Sequence, residues 1–220
     1  MDIINFLLHL LKDPLTTLQE LLTVYDTLTY IIIAVIIFVE TGLIVMPLLP
    51  GDSLLFAAGL LAASTGKLDI ALLIPLLIGA ALVGDNVNYF VGKYFSQFIK
   101  ARERILFFKR EYITQTEAFY AQHGGKSVIL ARFMPIIRTI APFVAGAGSM
   151  RYPKYIIFCI LGATFWVSSL TLLGYFLGTN AWVKLNFEKV VLSIVFLSIL
   201  PMLWQLVKVK CLTRSTRSLG

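Results

Sequence analysis

The chain has 220 residues, of which 58% are hydrophobic and 14% are charged, and its mean hydropathy is +0.85. These values exclude an ordinary soluble domain, and the length allows several bilayer crossings at about 20 residues each. The net charge of +7 lies in flanks and loops between apolar runs, where it indicates membrane orientation rather than nucleic-acid binding. Because the two cysteines and two histidines are scattered, no disulfide framework, metal site or cofactor is predicted. We expect one all-α polytopic membrane domain over residues 1–220.

The amino-terminal residues carry leucines at helical spacing on both sides of Pro14. This pattern predicts two short amphipathic helices that lie at the membrane surface.

An acidic apolar run follows, over residues 28–65, and contains Glu40 and Asp52. Its helix-breaking residues are Pro47, Pro50 and Gly51. A charge at the bilayer centre costs roughly 2.5 kcal/mol or more, and a proline removes a backbone donor. The run therefore predicts a re-entrant hairpin, in which a helix breaks and a second helix returns from Leu54, capped by Asp52 or Ser53. Irregular backbone at membrane depth must be satisfied by protein or water, so the break should face an interior site.

The next span is predicted over residues 69–92, where Asp85, Asn86 and Asn88 form a polar stripe that should face the interior. Asp85 is a candidate for lining a transport path. A basic amphipathic segment over residues 96–123 comes next, and the positive-inside rule predicts that it is cytoplasmic.

A second broken run, over residues 127–150, carries Arg132 and Arg138. We expect it to form a second re-entrant hairpin, broken at Pro135 and Pro142, followed by a span over residues 155–178. A final span over about residues 189–207 and a basic tail complete the chain. The tail is rich in Lys and Arg and should be cytoplasmic, which requires residues 127–150 to re-enter rather than cross.

The two halves have the same order of elements. Residues 1–92 and residues 93–180 each contain an amphipathic lead-in, a proline-broken run and a span, and residues 181–220 stand apart. Because the broken runs should enter from opposite faces, we predict an inverted repeat whose two hairpins face each other near the bilayer midplane.

The motifs at the breaks resemble those of a known family. The pattern E-x6-P-x2-P-G-D begins at Glu40, and G-D-x3-Y-x2-G-K begins at Gly84. Further on, H-G-G at residues 123–125 and R-F-x-P-x2-R-x7-A-G-x3-M from Arg132 to Met150 complete the set. Together these motifs are similar to the DedA family of bacterial inner-membrane proteins, over roughly residues 28–180.

The resemblance implies a fold with two facing re-entrant hairpins, shared with a wider superfamily that includes eukaryotic lipid scramblases. It also implies a multi-pass protein of the bacterial cytoplasmic membrane, linked to undecaprenyl-phosphate recycling, to the proton-motive force and to envelope integrity. The acidic pair that the family requires corresponds to Glu40 and Asp52, and its arginine pair to Arg132 and Arg138. The leading hypothesis is thus a lipid-phosphate flippase.

The chemistry of these four residues is compatible with that hypothesis. Arginine stays charged and its forked donors suit phosphate oxygens, so Arg132 and Arg138 are predicted to bind the headgroup. Glu40 and Asp52 can bind and release protons, and they are predicted to couple transport to the proton gradient. The expected partners are membrane lipids, a lipid phosphate and protons, and an oligomer is compatible with the sequence.

Three other interpretations remain open. The four charges can serve only as structural ion pairs, or the protein can be a proton-coupled ion antiporter or channel, or a passive phospholipid scramblase. An enzyme such as a membrane phosphatase is disfavoured because no nucleophile accompanies a histidine in a known motif. Trp166, Trp182 and Trp204 are expected to face lipid or the interface, and Cys159 to serve in packing.

Overall fold

The computed structural model describes residues 3–43, 51–100, 104–105, 108–109, 135–148, 150–186, 189–190 and 193. The helices in these ranges are α1 (Ile3–Lys12), α2 (Pro14–Tyr25), α3 (Leu28–Gly42), α4 (Gly51–Thr65), α5 (Ile70–Lys100), α6 (Pro135–Ala147), α7 (Tyr152–Leu177) and α8 (Ala181–Leu185). A two-residue antiparallel pairing joins β1 (Arg104–Ile105) to β2 (Phe108–Lys109). Apart from that pairing, the regular structure in these ranges is helical, as expected.

The two amino-terminal helices meet at Pro14, as the sequence predicts. Asp13 caps α2, since its carboxylate accepts a hydrogen bond from the Thr16 amide at 3.0 Å. Proline is well tolerated at the first helical position, where its missing N–H would have no partner. The apolar face of α2 is buried in the main core through Leu18 and its neighbouring leucines.

The acidic run contains two helices, α3 and α4, of 15 residues each. Each is about 22 Å long, which is shorter than the roughly 30 Å of bilayer hydrocarbon. The second helix begins at Gly51, so the expected start at Leu54 is wrong by one turn, and Asp52 and Ser53 lie inside the first turn instead of capping it. An acidic residue is stabilised there by the helix dipole. Pro47 and Pro50, the predicted break itself, lie outside the described residues.

The spans α5 and α7 are the long helices, with 31 and 26 residues. At about 46 and 39 Å, both are long enough to cross a bilayer, and within the described ranges they alone combine that length with sufficient hydropathy. The helix that carries the predicted span over residues 69–92 begins at Ile70 and continues beyond the span to Lys100. The charge of Lys93 marks where the apolar section ends, and a charged residue does not stop a helix.

Several predicted boundaries in the second half change or fall outside the described part. The amphipathic segment over 96–123 begins as the end of α5, continues through the short β pairing, and lies otherwise outside it. The part of the predicted arginine hairpin before Pro135 and nearly all of the predicted final span over 189–207 also lie outside the described residues. The short helix α8 was not predicted.

Pro142 does not break its helix. The predicted break there is wrong, because α6 runs through it from Pro135 to Ala147. A proline removes one intrahelical hydrogen bond, and the extensive packing of α6 on α5 compensates for that loss. Pro135, by contrast, stands at the first position of α6, where proline favours a helix start.

Glycines allow close approach at two helix crossings. A Cβ on Gly59 of α4 would overlap the Thr171 carbonyl of α7, and one on Gly174 of α7 would overlap the Phe56 carbonyl of α4. In the same way, Gly146 of α6 abuts the Tyr89 carbonyl of α5, and Gly92 of α5 abuts the Phe143 carbonyl of α6. In both crossings each glycine contacts the residue three positions before its partner glycine. The two interfaces therefore share one packing pattern.

The long helices present apolar side chains outward and polar ones inward. Exposed residues on α5 and α7 include Val83, Val91, Phe165, Leu173 and Phe176. Buried residues on the same helices include Asp85, Asn88 and Thr171. This distribution is the reverse of a soluble protein and suits helices that are surrounded by lipid.

Candidate functional site

A buried arginine between two carboxylates forms the candidate site. The Arg138 Nη1 atom donates to Asp52 Oδ1, and its Nη2 atom donates to Glu40 Oε1. Arg138 is 7% exposed and Glu40 is 1% exposed, so the charges are removed from solvent. Two charge-assisted bonds from one planar guanidinium to two separate carboxylates fix both its position and its orientation.

The three charges come from three helix ends. Glu40 lies in the last turn of α3, Asp52 in the first turn of α4, and Arg138 in the first turn of α6. The structure thus brings together three of the four residues that the sequence singles out. Arg132, the fourth, lies outside the described residues.

Trp166 of α7 is part of the site. Its indole Nε1 donates to Asp52 Oδ1 at 2.8 Å, and the Arg138 guanidinium carbon lies 4.5 Å from the ring centroid. With only 2% of its surface exposed, it does not face lipid or the interface, and that expectation is wrong. Tryptophan in membrane spans is concentrated near the two interfaces. Trp166 stands midway along its apolar span, and that unusual position was the sequence signal for an inward-facing role.

Asn88 of α5 links the helices that carry the charges. Its Nδ2 atom donates to the carbonyl of Thr41 at 3.2 Å and to the carbonyl of Thr139 at 2.6 Å. These carbonyls belong to the residues next to Glu40 and Arg138. Asn88 therefore holds α3 and α6 at a fixed separation, and its complete burial agrees with the predicted inward-facing stripe.

Asp85 belongs to a second buried polar cluster. The Cys159 thiol donates to Asp85 Oδ2 at 3.3 Å, and the Tyr155 hydroxyl donates to the Asp85 carbonyl at 3.0 Å. Tyr155 stacks on Tyr89, whose hydroxyl donates to the carbonyl of Met150. Cys159 thus has a polar partner as well as its predicted packing role.

Gly51 leaves room for the Glu40 carboxylate. A Cβ at this position would overlap Glu40 Oε2, so Gly51→Ala is expected to push the carboxylate away from Arg138. The free energy of unfolding should fall by about 1.5 to 3 kcal/mol, the value of a hydrogen bond to a charged group. Chemical unfolding in detergent measures this. In the Glu40→Ala background, which removes the carboxylate, the same change should cost clearly less, and equal costs in both backgrounds would contradict the contact.

The fold and the site define a membrane protein with a buried charged centre inside a helical domain. The chain matches the family model of the VTT domain over residues 49–176. It is 43% identical to Protein DedA of Escherichia coli strain K12 over 211 residues, which cover 96% of each chain. An uncharacterized membrane protein of Mycobacterium leprae is 46% identical over 169 residues, 77% of this chain and 75% of that one. Inner membrane protein YqjA of Escherichia coli is 31% identical over 168 residues, 76% of each. No solved structure matches the chain.

The chain belongs to the DedA family of VTT-domain membrane proteins. The resemblance found in its motifs is confirmed. Of these bacterial relatives, one is named as an inner membrane protein and another as a membrane protein. The family is broadly linked to membrane transport or lipid handling.

Proposed function

We propose that this protein is a flippase that moves a lipid phosphate, such as undecaprenyl phosphate, across the bacterial cytoplasmic membrane. The observation that carries the proposal is the buried Arg138 guanidinium, whose two Nη atoms face carboxylates from separate helices. A guanidinium presents the same pair of donors to phosphate oxygens. A phosphate headgroup would therefore compete with Glu40 and Asp52 for Arg138, while the prenyl chain stays in lipid.

Proton coupling follows from this competition. With both carboxylates ionised, Glu40, Asp52 and Arg138 together carry one excess negative charge, which repels a phosphate. Proton uptake by one carboxylate removes that excess and frees a donor of Arg138. Headgroup binding and proton binding then favour each other, and a proton gradient can drive the lipid in one direction.

The helix lengths and the glycine crossings support the inverted-repeat arrangement within this proposal. The helices α3, α4 and α6 are too short to cross the bilayer alone, as limbs of re-entrant hairpins must be. The shared glycine pattern is what two related halves would give, with each span packed on the short helix of the other half. In this arrangement the protein crosses the membrane several times, and its carboxyl terminus is cytoplasmic.

A second candidate is a proton-coupled ion antiporter or channel. Two carboxylates stand against one arginine in the described part of the site, and an excess of acid suits proton or cation binding. A passive scramblase differs from the flippase only in its independence from the gradient. The flippase, the ion antiporter or channel, and the scramblase predict different lipid and proton movement in vesicles.

The test is transbilayer movement of undecaprenyl phosphate in proteoliposomes, with and without an imposed proton gradient. Parent protein should move the lipid faster with the gradient, whereas Arg138→Ala and Arg132→Ala should lose at least about tenfold in rate, the loss of one charge-assisted contact. Undecaprenol, which has the same chain without phosphate, is the substrate control. Arg151→Ala is the protein control, because Arg151 is exposed at the start of α7.

The outcomes separate the candidates. Movement that ignores the gradient indicates a scramblase. No lipid movement from folded protein, together with proton flux detected by a pH-sensitive dye in vesicles without prenyl phosphate, indicates ion exchange and overturns the flippase.

A further inference from the structure

The two carboxylates that bind Arg138 have different surroundings. Asp52 Oδ1 accepts hydrogen bonds from both Arg138 Nη1 and the Trp166 indole. Glu40 Oε1 accepts one from Arg138 Nη2, and its other oxygen, Oε2, has no hydrogen-bond partner of normal geometry among the described residues although it is buried. Oε2 has the backbone of Gly51 beside it, whereas Asp52 has the indole N–H as a second donor in addition to Arg138. A buried carboxylate with weaker donors is costlier to ionise, and protonation removes that cost.

The two carboxylates also differ in their positions relative to the helix dipoles. Asp52 lies in the first turn of α4, where the unpaired amides of the helix stabilise a negative charge. Glu40 lies in the last turn of α3, where the helix carbonyls disfavour one. The Glu40 carboxylate also reaches Gly51 at the start of α4, so the dipoles of α3 and α4 oppose each other at Glu40, whereas at Asp52 the dipole of its own helix stabilises the charge.

The elements packed against Glu40 contribute few other charges. Asp52 faces it from α4 and Arg138 faces it from α6. The helix α5 contributes the uncharged Asn88 beside Thr41, and Glu20, the acid within α2, is exposed. Among the described residues, the balance among Glu40, Asp52 and Arg138 therefore determines which carboxylate takes a proton.

We infer that Trp166 is a positioning residue that keeps Asp52 as the permanent counter-ion of Arg138 and leaves Glu40 to bind and release the proton. The indole N–H donates to Asp52 while its ring lies against the guanidinium, so one rigid side chain orients both partners. A hydronium ion of the aqueous phase gives its proton to Glu40 Oε2, so one O–H bond breaks in hydronium, one forms on the carboxyl group, and water is released. Glu40 becomes neutral, its bond to Nη2 weakens, and that donor turns to the incoming anion.

This inference rests on the proposed proton coupling, and it can be tested without any substrate. Infrared difference spectroscopy of the full-length protein in lipid films is recorded as the pH is lowered from about 9 to about 6, a range above that in which exposed Asp and Glu take up protons. It detects the carbonyl stretch of a newly protonated buried carboxyl group. One such band is expected in the parent. It should be lost in Glu40→Gln and kept in Asp52→Asn. The reverse pattern, or no band in the parent, overturns the assignment, and this comparison needs no change at Trp166.

The role of Trp166 has its own readout. Trp166→Phe keeps a ring against the guanidinium and removes the indole donor, so Asp52 should now share the proton with Glu40. The double variant Trp166→Phe with Glu40→Gln is then expected to regain a carboxyl band that Glu40→Gln alone lacks. Trp182→Phe with Glu40→Gln is the matched control, because Trp182 is exposed, and it should show no band. Absence of the band from the folded double variant overturns the positioning role.

Failure of this inference differs from failure of the proposed function. The infrared bands assign the proton whether or not a lipid phosphate is moved. Lipid movement in proteoliposomes tests the flippase whichever carboxylate is protonated.

Discussion

Arg138→Met is expected to lower the free energy of unfolding by about 3 to 5 kcal/mol, because it leaves two buried carboxylates without this counter-ion. Glu40 and Asp52 both form ion pairs with this arginine, from two different helices. The same variant should lose lipid-phosphate transport. Unfolding in detergent and transport in proteoliposomes measure the two effects separately. Arg151→Met, at an exposed position, should change stability by no more than about 0.5 kcal/mol and leave transport intact.

A variant that lacks all three buried charges distinguishes a structural role of these charges from a role in transport. Combining Arg138→Met with Glu40→Leu and Asp52→Leu removes all three charges, and replacing a whole buried ion-pair group by apolar residues of similar volume is often neutral for stability. The triple variant should recover most of the lost stability and still fail to transport. If the triple variant transports at the parent rate, the charges are only structural and the proposed site is wrong.

Gly59→Ala is expected to destabilise the protein by about 1 to 3 kcal/mol, the usual cost of overpacking. Its new methyl group would overlap the Thr171 carbonyl, and a backbone atom cannot rotate away as a side chain can. The crossing of α4 and α7 must widen, which also separates Asp52 on α4 from Trp166 on α7. The midpoint of thermal or detergent-induced unfolding measures the loss, and transport should fall with it. Gly146→Ala at the crossing of α5 and α6 should behave alike.

Gly79→Ala is the matched control for these glycines. It makes the same chemical change inside α5, but nothing described lies within 4 Å of the added Cβ. The substitution should therefore leave stability unchanged or raise it by about 0.5 to 1 kcal/mol, since alanine favours a helix. Equal destabilisation by Gly59→Ala and Gly79→Ala would show that close approach is not the reason for glycine at position 59.

The sequence by itself identified the membrane class, the family and the charged residues of the site. These follow from local properties: apolar runs of spanning length, and charges and prolines where an apolar run rarely holds them. Glu40, Asp52 and Arg138 are charged residues in apolar runs. Because a buried charge requires a partner, their residue types alone indicated that they belong to an interior site. Their assignment to phosphate binding and proton coupling stays a prediction.

Helix limits were determined less well. Lys93 ended the apolar pattern but not α5, and Pro142 interrupted the pattern of hydrogen bonds but not α6. Lysine is compatible with a helix interior, and α6 tolerates Pro142 because it packs on α5, where Gly92 and Gly146 allow close contact. Contacts between segments far apart in sequence leave no periodic signal in either segment.

Only the tertiary structure decided which charges pair and what else joins them. That Arg138 binds both carboxylates depends on how the ends of α3, α4 and α6 converge. Trp166 is one aromatic residue among many in an apolar span, and it becomes a partner of Asp52 only because α7 crosses α4 there. A hydrogen bond is set by distance and angle between atoms, and residue types along a chain specify neither until the helices have packed.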